Sequence, residues 1–168
     1  PVAEAAHQRL GRSLLGASVL ALSPGWLGWG RSSVTDMFLA SGITLALLGF
    51  VLAHTATPQR PWQRPFGFVA LAVFCGIAVL AKGPVAVLLL GLTLLLFGWL
   101  QADLGGLWAR LRPLPGLAVT ALVALPWYGA ALLQEGDPFW RSFFGYHNLQ
   151  RFTAVVNNHQ QPWWFFAA

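Results

Sequence analysis

Nine of the ten basic residues in this chain are arginine, and the tenth, Lys82, stands in Ala81-Lys82-Gly83-Pro84 between two apolar runs. An ammonium is a compact point charge, and beside an unobstructed glycine backbone it suits a phosphate oxygen. Snorkelling to a membrane surface is the plainer use of the same side chain. Asp36 stands in Ser33-Val34-Thr35-Asp36-Met37 at the start of another apolar run. An acid there fits a helix N-terminus, with Thr35 or Ser33 as cap, and an ionisable group at the edge of hydrocarbon is also a functional candidate. The third group lies in Asp137-Pro138-Phe139-Trp140-Arg141-Ser142-Phe143-Phe144-Gly145-Tyr146-His147-Asn148-Leu149-Gln150-Arg151-Phe152. Phe139, Trp140, Phe143 and Phe144 share one helical face suited to headgroups, and His147 and Arg151 are one helical turn apart. Ordinary polar decoration of an amphipathic helix is the alternative. Imidazole and guanidinium together also suit an anionic lipid headgroup.

The elements that must carry these residues are apolar. Hydrophobic residues make up 57% of the 168 and charged residues 9%, against about 25% charged in soluble domains. Mean hydropathy is +0.62. Such a chain cannot cover a globule with polar groups, so much of its solvent is lipid. The net charge of +5 does not point to nucleic acid, because the arginines flank apolar runs instead of gathering on one face. Trp26, Trp29, Trp62 and Trp99 stand near run ends, as an interfacial belt requires. The single Cys75 excludes an intrachain disulfide and a paired-cysteine metal knuckle. The N-terminal proline and the apolar Trp163-Trp164-Phe165-Phe166 near the other end read as an internal fragment of a longer polytopic protein.

A spanning helix needs about 20 apolar residues. Five candidates follow: Ser13–Trp29, Val34–His54, Phe66–Ala81, Val85–Leu100 and Leu114–Leu133. No run alternates with the period of a strand. The expected fold is therefore all-α, a polytopic transmembrane bundle of five spans over residues 1–168, with an interfacial helical loop at 134–162. Gly83-Pro84 divides the third span from the fourth and puts Lys82 in a tight turn at a membrane surface. Alternation of the spans gathers Arg9, Arg12, Arg60, Arg64, Arg110 and Arg112 on one side and Arg31, Lys82, Arg141 and Arg151 on the other. The positive-inside rule makes the first side cytoplasmic. Arg31, Asp36, Lys82 and the 134–162 loop then share the outer face. The chain carries no phosphate loop or nucleophile elbow, so the residues alone point to an extracytoplasmic-face site for an anionic, phosphorylated lipid.

Four motifs in order go further: Arg31 with Thr35-Asp36-Met37, Ala81-Lys82-Gly83-Pro84, Asn148-Leu149-Gln150-Arg151-Phe152, and His159-Gln160-Gln161-Pro162-Trp163-Trp164. With them the chain resembles the polyprenyl-phosphate-dependent glycosyltransferases of the GT-C fold, above all the bacterial aminoarabinose transferases and the dolichyl-phosphate-mannose–protein mannosyltransferases. The resemblance implies transfer of a sugar from a polyprenyl phosphate to a lipid, glycan or protein acceptor at the outer face of the cytoplasmic membrane. It implies that Lys82, Arg151 and Arg31 bind the donor phosphate and that Asp36 is the acidic residue of the site, orienting the acceptor or a cationic partner. It also implies a divalent metal near the phosphate, with His147 and His159 as candidate ligands. The family's first catalytic loop, with the base for the acceptor, is expected N-terminal to these residues, which leaves this stretch inactive alone. A transporter or channel with Asp36, Lys82 and Arg151 along an ion path is the competing class. Such proteins place charges near mid-bilayer, whereas these gather at one face.

Overall fold

The computed structural model describes residues 2–31, 35–111, 113–141 and 143. Among them every regular element is helical, as composition and periodicity require. The helices are α1 Val2–Leu22, α2 Pro24–Arg31, α3 Thr35–His54, α4 Gln63–Lys82, α5 Val85–Leu100, α6 Leu104–Leu111, α7 Pro113–Glu135 and α8 Asp137–Trp140. They fall into two units, residues 1–38 and residues 39–168.

In the first unit the expected span Ser13–Trp29 is not one helix. It breaks between α1 and α2 at Ser23. Pro24 lacks the N–H that would continue α1 and is well placed in the first turn of the next helix. The Ser23 hydroxyl donates to the Leu20 carbonyl at 3.0 Å and accepts the Trp26 N–H at 3.4 Å, so one side chain ends α1 and caps α2. The apolar part of α1, Leu10–Leu22, is shorter than a span.

In the second unit the predicted spans are found with small shifts of boundary. Three helices, α3, α4 and α7, are long and apolar enough to cross a membrane, and α5 is a shorter apolar helix of 16 residues. At 1.5 Å per residue α5 is about 24 Å long, somewhat under a hydrocarbon core of about 30 Å. The protein is an all-α membrane protein.

Helix α4 is the axis of this unit. Toward α3 it presents small residues. A Cβ placed on Gly67 would lie 2.5 Å from the Gly49 carbonyl and 2.6 Å from the Ala53 nitrogen, and one on Gly42 would lie 2.9 Å from the Ala78 Cβ. The backbones therefore touch, which is how helices associate in lipid, where apolar side chains gain little by leaving the solvent. The pairing of Gly42 with Ala78 and Gly49 with Gly67 makes α3 and α4 antiparallel. Toward α7 the contacts are hydrogen-bonded: the Thr120 hydroxyl donates to the Ala72 carbonyl at 2.9 Å, and Tyr128 Oη donates to the Val79 carbonyl at 2.7 Å. Both residue numbers rise together, so α4 and α7 are parallel, with α5 as the return between them. Asp103 opens α6 by accepting the Gly106 N–H at 3.0 Å and pairs with Arg110 one face along.

Candidate functional site at the end of helix α4

Lys82 is the last residue of α4 and is partly buried. The helix ends there because Gly83 adopts φ 79°, ψ −157°, a conformation that only glycine takes without strain. Pro84 then disfavours helical backbone at the residue before it and starts α5 with φ −60°. The expected turn is present, and it is braced by hydrogen bonds. The Val79 carbonyl accepts both the Gly83 N–H at 2.6 Å and the Tyr128 hydroxyl at 2.7 Å. Ala78, Val79, Ala86, Ala124 and Tyr128 form a buried cluster beneath the turn, with Leu39 and Ile43 of α3 packed against it.

Helix α8 completes this frame. Phe139 and Phe143 stack at 5.6 Å with planes 9° apart, and their rings lie 6.4 and 5.3 Å from Tyr128. This differs from the expected flat aromatic face on the membrane: Phe139 and Phe143 turn inward onto α7, while Trp140 stays about half exposed. The reason is geometric. Gly136, at φ 64°, breaks the chain after α7 and folds α8 back within reach of Trp127 and Tyr128. Arg141 pairs with Asp137 at 3.4 Å across one turn at the surface.

Asp36 is the second residue of α3 and Arg31 the last of α2, both exposed and both in the first unit. Each stands at the helix end whose dipole favours its sign. Helix polarity favours these placements, and that of Lys82 at the end of α4. What sets Lys82 apart is the glycine beside it and the braced turn beneath. His147, Arg151 and His159 lie outside the described residues, as does most of the 134–162 loop. Among the described residues no group of three His, Cys, Asp or Glu side chains could hold a metal.

Sequence reasoning missed Tyr128. Its signal was a phenol in the apolar run Ala124-Leu125-Pro126-Trp127-Tyr128, where a buried hydroxyl must find a partner. The partner is the last turn of the helix that carries Lys82.

The family model described as dolichyl-phosphate-mannose-protein mannosyltransferase matches residues 2–137. The chain belongs to this family. Among curated relatives, the undecaprenyl phosphate-alpha-4-amino-4-deoxy-L-arabinose arabinosyl transferase of Pseudomonas aeruginosa (strain UCBPP-PA14) is 35% identical over 74% of this chain and 22% of its own length. The corresponding transferase 1 of Sodalis glossinidius (strain morsitans) is 33% identical over 95% of this chain and 28% of its own. That of Pectobacterium carotovorum subsp. carotovorum (strain PC1) is 30% identical over 92% and 27%. The chain thus spans 22–28% of the length of these relatives. No solved structure matches it.

Proposed function

We propose that this chain is the part of a membrane glycosyltransferase that holds the phosphate of a polyprenyl-phosphate-linked sugar donor. The observation that carries the reading is the family match across residues 2–137, with the one lysine of the chain inside it, on a braced turn beside a glycine that the structure buries and does not leave open. In such a transfer the acceptor oxygen attacks the anomeric carbon of the sugar, and the bond from that carbon to the phosphate oxygen breaks. The acceptor loses its proton to a base. The donor is a phosphodiester with one negative charge, and the departing polyprenyl phosphate carries a second. A fixed ammonium stabilises that gain in charge more than it stabilises the ground state, which is the requirement for electrostatic catalysis. Lys82 supplies this charge, Arg151 and Arg31 are its proposed partners on the phosphate, and Asp36 orients the acceptor. The base belongs to a loop N-terminal to these residues, and His147 and His159 are the candidate ligands if a divalent metal assists.

A site on the extracytoplasmic face of the cytoplasmic membrane is supported by Arg60, Arg64, Arg110 and Arg112 at the other end of the spans. The acceptor is a lipid, glycan or protein. Nothing in the comparisons favours a transporter. The test is transfer of labelled sugar from an undecaprenyl-phosphate donor by the full-length protein in nanodiscs, wild type against Lys82→Ala. Loss of one charge-assisted contact to a desolvated phosphate costs about 1.5–3 kcal/mol, a ten- to hundredfold fall in rate. An unchanged rate would return Lys82 to a snorkelling role.

A further inference from the structure

At the far end of α4 from Lys82, the same unit contains a feature that the transfer reaction does not use. A cavity of about 120 Å³ opens there, lined by His54, Arg64 and Arg110 together with the apolar Phe50, Phe68 and Leu107. Three side chains able to carry positive charge thus surround a space that would hold a small anionic group. Two of them are held in position. The His54 ring stacks on Phe50 at 5.5 Å and meets Phe97 edge-on at 5.3 Å. The Arg110 guanidinium donates through Nε to the Gly106 carbonyl at 2.9 Å and pairs with Asp103 through one terminal nitrogen. A guanidinium has five donors, more than those two contacts use, in a fork that fits a phosphate.

The cavity does not stand alone. Phe68, Leu107 and Leu111 also line a second, much larger groove of about 820 Å³. That groove runs over α4 between α5 and α7, from Leu104 and Trp108 past Leu95 and Gly91 to Val87. Its extent along α5, from Leu95 to Val87, is about 12 Å at 1.5 Å per residue. Its walls are almost wholly aliphatic and aromatic. A pocket lined by two arginines at the end of α4, sharing Phe68, Leu107 and Leu111 with an apolar groove, has the polarity profile of an anionic phospholipid.

The geometry points to a site for an anionic phospholipid of the phosphatidylglycerol class, with its phosphodiester between Arg64, Arg110 and His54 and one acyl chain along the α5–α7 groove. A free phosphate would satisfy the pocket and leave the groove without a role. A zwitterionic lipid would bring an ammonium group, quaternary in phosphatidylcholine, against the arginines. The phosphate pocket lies at the opposite end of α4 from the Lys82 turn, and the groove runs from it toward that turn as far as Val87.

The test uses the full-length protein in detergent, with native mass spectrometry of bound lipid after addition of phosphatidylglycerol and phosphatidylcholine of equal chain length. The expected result is preferential retention of phosphatidylglycerol, reduced about fivefold by Arg64→Gln and kept by Arg64→Lys, which preserves the charge. Gly91 faces the groove with open space beyond its Cβ position, so Gly91→Phe is expected to expel long-chain phosphatidylglycerol and leave the dihexanoyl lipid bound. Equal retention of the two lipids, or a preference untouched by Arg64→Gln, overturns the proposal. If inorganic phosphate competes as well as the lipid does and Gly91→Phe has no effect, the pocket is a bare anion site and the lipid assignment is wrong.

Discussion

The two ends of α4 are built on opposite plans. At the Lys82 end one cation sits on a turn with no slack: Gly83 and Tyr128 both bond to the Val79 carbonyl, and α3, α5, α7 and α8 pack around it. At the Gln63 end two arginines and a histidine line an open cavity, and the Asp103–Arg110 pair is about half exposed. A charge that must be strongest in one transition state gains from a rigid frame, because reorganisation at the moment of reaction is avoided. Charges that meet a membrane surface need only be numerous and near it. The difference therefore matches the two roles proposed for these ends, chemistry at the Lys82 turn and lipid binding at the arginine pocket, although both consist of basic side chains at helix ends.

Four substitutions break or sharpen this contrast. The largest effect is expected from Gly67→Leu, which strikes the frame common to both ends. Its new side chain would start 2.5–2.6 Å from the α3 backbone, and backbone cannot yield as a flexible side chain can. Full-length protein is expected to be lost from the detergent-soluble, monodisperse fraction in size-exclusion chromatography.

Gly83→Ala acts at the Lys82 end alone. Backbone at φ 79°, ψ −157° costs a non-glycine residue about 1–3 kcal/mol, which the turn can avoid only by moving Lys82. Sugar transfer is expected to fall about tenfold while retention of phosphatidylglycerol is unchanged. If lipid retention fell equally, the two ends would not be independent.

A smaller step is Tyr128→Phe, which deletes the hydroxyl that braces Val79 and keeps the ring against Phe139 and Phe143. A buried hydrogen bond of this kind is worth about 0.5–1.5 kcal/mol. Thermal unfolding in detergent should shift down by a few degrees, about what that energy implies for a protein of this size. An unshifted transition would mean that the turn is held by packing alone.

The smallest change is Asp103→Asn at the arginine end. Asparagine caps a helix as well as aspartate does, so α6 keeps its start and only the exposed ion pair with Arg110 is lost. Such pairs contribute about 0–1 kcal/mol. Stability should hardly move, and measurement in high salt should erase the difference that remains.

The sequence by itself determined the membrane class, the helical fold and most of the span boundaries. These follow from local composition: each of the runs Val34–His54, Phe66–Ala81, Val85–Leu100 and Leu114–Leu133 is predominantly apolar, and lipid selects helices from such runs whatever their neighbours do. The tight turn at Lys82 was legible for the same reason, since Gly83 and Pro84 act on their own backbone. Ser23-Pro24 was equally local, but the apolar residues on either side hid the break they make. What only the tertiary structure decided were the contacts between segments distant in the chain. Tyr128 meets Val79 across 49 positions, and Thr120 meets Ala72 across 48. The inward turn of Phe139 and Phe143 depends on where α7 ends relative to α8, and the cavity at His54, Arg64 and Arg110 exists only once three separate segments come together. Hydropathy reports how much a residue prefers lipid to water, and it carries no information on which helix face meets which. In a membrane that choice is made by small residues, backbone approach and a few buried hydroxyls, whose partners are known only when the helices are packed.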